Sequence, residues 1–150
     1  MSEYVAVIGT GTMAAGIAAG FISHSIPVAI LGRSKEKSGD CLKKAIQLAV
    51  KIGLHGENAS LDMTSIEAAQ VSTTMESWEA WDECFWIIET VAENLELKKQ
   101  IFAYLDGKVP AHIPIGSNSS GFPITKISAD LKSANRMMGA HYFMPAEVVP

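Results

Sequence analysis

Apolar residues along this chain fall into short unbroken runs that alternate with longer stretches in which they recur every third or fourth position. Tyr4–Ile8 is a β-branched run with a glycine turn directly behind it, which predicts a buried strand. After the turn, Met13, Ile17, Ala18, Phe21 and Ile22 share one face of a helix, and residues 28–31, between Pro27 and Gly32, predict a second strand. Strand, turn, helix and strand in so short a span make a βαβ unit, whose crossover is right-handed. Residues 35–52 carry Leu42, Ala45, Ile46, Ala49 and Val50 on one face with lysines elsewhere, an amphipathic helix that Gly53 ends. A polar stretch at 55–62 precedes a short helix at 64–69 and a strand at 71–74. Further on, the pattern predicts strands at 85–88, 113–115 and 137–143 and helices at 95–105 and 124–131. Strands alternating with helices throughout give an α/β fold with a doubly wound, mostly parallel sheet.

Composition narrows the class. The 150 residues are 48% hydrophobic and 19% charged, with 12 Gly, 6 Pro and a net charge of -4. That excludes disordered and fibrous chains and fits one domain over residues 1–150, with no second domain inside the chain. No cluster of Lys and Arg offers a footprint for nucleic acid. The uncharged stretch 5–22 is too rich in glycine to read as an anchor or a leader, so no membrane partner is expected. Two separated cysteines, Cys41 and Cys84, form neither a CxxC nor a disulfide framework, and the expected setting is reducing and cytoplasmic. His24, His55 and His112 are scattered, without cysteine beside them, which predicts no metal site. Trp78, Trp81 and Trp86 read as packing residues, and Cys84 as a buried thiol.

The turn itself carries chemistry. Gly9-Thr10-Gly11-Thr12-Met13-Ala14 follows a strand and opens a helix, the context of a Rossmann-type dinucleotide site. The first glycine permits the tight turn, the second lets a pyrophosphate approach the main chain, and Ala14 keeps the helix close to the sheet. Unpaired amides and the positive end of the helix dipole attract the phosphates. A phosphate site for another nucleotide, or a plain structural corner, remains open on this string alone. The second strand ends Leu31-Gly32-Arg33-Ser34, without the carboxylate that holds the ribose hydroxyls of NAD. Gly32 leaves room, Arg33 offers a charge-assisted fork and Ser34 a hydroxyl, so NADP is favoured over NAD. Stacking of Arg33 on adenine, or simple solvation, is the alternative.

The strings VAVIGTGTMAAGIA, IIETVAENLELKKQIFAYLD, IPIGSNSSGFPITKIS and RMMGAHYFMPAEVVP, in this order, resemble the amino-terminal domain of 3-hydroxyacyl-CoA dehydrogenases and their relatives. The resemblance implies reversible oxidation of the 3-hydroxyl of a 3-hydroxyacyl-CoA, or of a related 3-hydroxy acid, by hydride transfer to NAD(P), as in fatty acid metabolism. It implies that His141 in HYFMP is the general acid/base and that Ser120 hydrogen-bonds the reacting oxygen. It also counts Asn118 among the cofactor-binding residues and puts Glu93 and Lys98 near the nicotinamide, with Glu93 oriented toward the cofactor and Lys98 turned toward substrate or phosphate or else on a solvated helix face. A helical carboxyl-terminal domain that makes a homodimer is expected of the complete protein and is absent from this chain.

Three departures qualify that picture. The acidic residue at the end of the second strand is Gly32. The asparagine that usually follows the aromatic pair after the histidine is Met144, which makes another 3-hydroxy acid credible. The family's glutamate partner for the histidine falls past Pro150, so little or no turnover is expected from these residues alone. The rival reading is a non-catalytic dinucleotide-binding or structural module that keeps the fold and loses the chemistry.

Overall fold

The computed structural model describes residues 3–148. The ends of the predicted domain, residues 1–2 and 149–150, lie outside the described residues. Strands β1 (Tyr4–Ile8), β2 (Val28–Gly32), β3 (Val71–Thr74), β4 (Cys84–Glu89), β5 (Ile115–Ser117) and β6 (Met137–Gly139) form one sheet in the order β3-β2-β1-β4-β5-β6. Every neighbouring pair is parallel. This is the strand order of the dinucleotide-binding α/β fold, and its order reverses between β1 and β4.

Strands β1, β2 and β5, in the interior of the sheet, are buried on both faces, as parallel sheets require. Along β1, Val5 and Val7 pack with Ile30 and Ile88 toward α1 (Thr12–Ser23) and α2 (Lys35–Ile52). Ala6 and Ile8 point the opposite way and join Leu31, Ile87 and Ile115 under α4 (Leu95–Lys108). Trp78 and Trp81 are buried in that second layer, while Trp86 is half-buried against the first. Two short helices, α3 (Met63–Ala68) and α5 (Ile124–Ile127), complete the layers.

Capping separates the helices. Ser34 accepts from Lys37 N at the start of α2, Asp62 from Ser65 N at α3 and Asn94 from Leu97 N at α4. At α1 the N-cap is Gly11, with no side-chain cap and no acidic residue in the first turn. Its first amides, which have no intrahelical acceptor, are therefore left for something else. The turn before them is held by Gly9, whose φ is +124° and whose N–H donates to Leu31 O at 3.0 Å. A Cβ at Gly9 would lie 2.7 Å from the Thr90 carbonyl oxygen.

Helix α4 runs past its expected end at 105 to Lys108, and three later elements differ further from expectation. The strand expected at 113–115 lies at Ile115–Ser117, because Ile113 N closes a turn onto Pro110 O at 3.0 Å and Pro114 has no N–H for the ladder. The helix expected at 124–131 stops at Ile127: the Ser128 hydroxyl and amide both return to Ile124 O, and Asp130 takes a left-handed φ of 64°. The strand expected at 137–143 ends at Gly139, since Asn118 Oδ1 takes the Tyr142 N–H at 2.6 Å and turns the chain off the sheet. His141 therefore sits on a loop rather than a strand.

Replacing Gly9 with Ala is expected to destabilise the domain by about 2–3 kcal/mol, from the strained φ and the collision with a fixed carbonyl together. Urea unfolding of G9A against the unmodified chain checks this; an unchanged midpoint would contradict it.

Candidate active site

A cleft of about 1010 Å³ opens along the carboxyl ends of the strands, the place where open α/β sheets bind ligands. The glycine turn forms its middle, where β1 and β4 part: Gly9, Thr10, Gly11, Thr12 and Met13 all line it. Beyond β2 and β3 lie Gly32, Arg33 and Glu76, and beyond the other strands lie Glu93, Asn118, Ser120 and His141. Most residues singled out from the sequence are thus brought to one cavity from five separate segments.

The arrangement fits a dinucleotide. Apart from Gly11 and the residues adjoining it in the chain, no atom lies within 4 Å of where a Cβ at Gly11 would stand, so the bare backbone there opens onto free space beside the unpaired first-turn amides of α1. Charge-assisted bonds from such amides are the usual anchor of a pyrophosphate. Arg33 is exposed at the β2 end, with no hydrogen-bond or ion-pair partner among the described residues.

Other assignments change. Gly32 does not leave room for a phosphate: a Cβ there would meet Thr10 Cγ2 at 2.5 Å and Ser38 Oγ at 2.6 Å, so its smallness lets the glycine turn close on β2. Ser34 does not line the cleft; its oxygen caps α2. Ala14 is fully buried behind the turn, in the packing role expected of it. Lys98 turns neither to substrate nor to solvent. It is 1% exposed, and its Nζ lies 2.6 Å from Glu89 Oε2 and 3.2 Å from Glu93 Oε1.

Glu89 belongs to the site although no motif in the sequence marks it. It ends β4, is 0% exposed, and accepts from Ser117 Oγ at 2.6 Å, Val91 N at 2.8 Å and Lys98 Nζ. Its only sequence signal is a single carboxylate closing the run Phe85-Trp86-Ile87-Ile88, with a lysine nine residues on. Removing one member of such a buried pair costs about 3–5 kcal/mol, because the other charge is left unpaired. Glu93 reaches the cleft from the rim. Its Oε2 accepts from Ser119 Oγ at 3.0 Å and Gly121 N at 3.1 Å. Partial burial works to raise the Glu93 carboxyl, but the Ser119 hydroxyl, Lys98 and the Gly121 amide outweigh it and hold it below the usual carboxylate value.

The serine segment is thereby fixed in place. Asn118 donates to Thr90 Oγ1 at 3.2 Å while its oxygen holds Tyr142 N, so one side chain ties β4, β5 and the loop that carries His141. Ser119 is used up in the turn, and Ser120 is exposed with no hydrogen-bond partner among the described residues. The His141 ring packs at 4.6 Å from Phe143, and no group among the described residues hydrogen-bonds it. Met144 is 63% exposed and also lines the cleft. His24 and His55, far apart in sequence, lie with ring centroids 5.1 Å apart and ring planes tilted by 36°; the described residues hold no group of three or more metal-ligating side chains.

The family described as "3-hydroxyacyl-CoA dehydrogenase, NAD binding domain" matches residues 4–150. The "Peroxisomal fatty acid beta-oxidation multifunctional protein MFP2" of Arabidopsis thaliana is 34% identical over 97% of this chain and 20% of its own length. The "3-hydroxyadipyl-CoA dehydrogenase" of Escherichia coli is 33% identical over 98% of this chain and 30% of its own. Among solved structures, (S)-3-hydroxybutyryl-CoA dehydrogenase PaaH1 from Ralstonia eutropha superposes with a TM-score of 0.82 at 27% identity, over 99% of this chain and 52% of that one. The chain therefore spans about half or less of each relative. A sheet with this strand order, an uncapped helix behind a glycine turn and a family match along nearly the whole sequence lead to one conclusion: the chain belongs to the 3-hydroxyacyl-CoA dehydrogenase family, as its NAD-binding domain.

Proposed function

We propose that this domain holds a nicotinamide coenzyme across the cleft and presents its nicotinamide end to the 3-hydroxyl of a 3-hydroxyacyl thioester or a related 3-hydroxy acid. The observation that carries the reading is that the bare amides of α1 open onto the same cavity as Ser120 and His141. When bound, the coenzyme supplies the hydride acceptor. The chain supplies the rest: Ser120 donates a hydrogen bond to the reacting oxygen, and His141 takes the hydroxyl proton on a ring nitrogen as the alcohol becomes a ketone. An imidazole is suited to this because a ring nitrogen that carries no proton can accept one and give it back. In the reverse direction the same ring returns the proton.

The finer parts of the proposal rest on single features. Arg33 supports NADP over NAD, because an unpaired guanidinium at the β2 end matches a 2′-phosphate. Glu76, two residues past the Thr74 that pairs with Gly32, faces the same end and keeps that preference modest. Met144 supports a substrate tail less polar than the asparagine of relatives would favour. The apolar side chains of Phe143, Met144 and Val148, 58–63% exposed, support a further layer packing there, in keeping with a two-domain homodimer. Two free, buried thiols, Cys41 and Cys84, each pushed up to about 11 by burial, support a reducing cytoplasmic setting.

Calorimetric titration tests these points. Gly11→Ala is expected to leave the unfolding midpoint unchanged while weakening coenzyme binding about tenfold or more, as a methyl group occupies the path of the pyrophosphate. Equal affinity in G11A would contradict the reading. Arg33→Ala is expected to weaken NADP+ about tenfold and NAD+ hardly at all; an equal loss for both would remove the 2′-phosphate assignment.

A further inference from the structure

Charge along the cleft is uneven. On the side of β2 and β3 the lining carries Arg33 and Glu76, one of each sign. On the side of Ser120 and His141, Glu93 is the one carboxylate lining the cavity, and neither Lys nor Arg joins it there among the described residues. Behind Glu93 stands Lys98, but its ammonium is shared with Glu89 at the shorter distance, 2.6 Å against 3.2 Å. Two carboxylates around one ammonium leave the group with an excess negative charge. Glu89 and Lys98 are 0% and 1% exposed, so water and salt reach this group only from the Glu93 side, and the excess is screened less than at an open surface. Nor can Glu93 swing away: the Ser119 hydroxyl, the Gly121 amide and Lys98 hold its two oxygens.

We propose that Glu93, as the exposed member of this triad, makes the cleft discriminate between the two oxidation states of the coenzyme. It favours the oxidised nicotinamide ring, which bears a positive charge, and is indifferent to the reduced ring, which is neutral. This rests on the coenzyme reading above and adds to it a direction: oxidation of the alcohol is primed by tight binding of the oxidised form, and loss of the ring's charge eases departure of the reduced one. Glu93 acts here through its field and not as a catalytic residue.

The test uses Glu93→Gln, which keeps acceptors for Ser119 and Gly121, and compares the oxidised coenzyme, the reduced coenzyme and ADP-ribose, which lacks the nicotinamide. Titrations use the coenzyme pair, NAD or NADP, that binds tighter. E93Q is expected to weaken the oxidised form about fivefold, with the reduced form and ADP-ribose within about twofold of the unmodified chain, the scale of one partly screened charge. On the unmodified chain, added salt should narrow the difference between oxidised and reduced forms. Equal losses for both forms would mean that Glu93 acts by hydrogen bonding, and no loss for either that its field does not reach the ring; each result overturns the proposal. Failure of ADP-ribose to bind the unmodified chain would instead overturn the coenzyme reading beneath it.

Discussion

The uncapped first turn of α1 is the constraint around which the cleft is built. Three other helices start on a side-chain oxygen, from Ser34, Asp62 or Asn94, and so satisfy an amide locally. Helix α1 starts on glycine, with no carboxylate in its first turn, and its donors point at the gap where β1 and β4 diverge. Burying such amides without an acceptor is unfavourable, so the cleft beside them is open and polar at its centre. The same need for a bare backbone favours glycine at position 9, since its neighbour across the gap is the Thr90 carbonyl, whose peptide is held by the Val91 N–H bond to Glu89 Oε2.

On one side of that turn, the cleft wall is held by a polar network in place of apolar packing. Glu89 saturates its oxygens with Ser117, Val91 and Lys98, while Glu93 and Asn118 reach outward to fix the serine segment and the loop of His141. A serine and a histidine on irregular backbone thus have a defined separation despite leaving the sheet. The arrangement explains why two of the strands are short: β5 and β6 end where Ser117 and Asn118 begin to serve the network. It also concentrates charge where a ligand would feel it.

Much of this was legible in the sequence, for physical reasons that can be named. Tyr4–Ile8 and the helix over Lys35–Ile52 fall at their expected bounds because burial on one or both faces enforces their periodicity, and the half-buried strand Val71–Thr74 does so as well. The later elements depart from the apolar pattern where side chains compete with the backbone. Ser128 folds back on Ile124, Asn118 captures the Tyr142 amide, and Pro114 withholds a donor, none of which an apolar pattern records. In the site, the glycine turn, Arg33, Ser120 and His141 were readable as motif positions that share one cavity. Glu89 was not, since a carboxylate at the end of an apolar strand looks like the strand's exit to solvent until Lys98 is found folded over it. Gly32, which the sequence presents as an opening for a ligand, is instead a close contact with Thr10 and Ser38, which only the packing of three segments reveals.

The family match covers nearly all of the chain and the geometry agrees with it, but the central claim is local: the α1 amides and the serine and histidine loops face one dinucleotide. Amide chemical shifts of the isotopically labelled chain, followed as NAD+ or NADP+ is added, test that most directly. The account predicts the largest changes at Gly11, Thr12 and Met13 and, in the same titration with the same affinity, at Ser119, Ser120 and His141. Changes confined to one of these groups, or centred elsewhere on the surface, would contradict it.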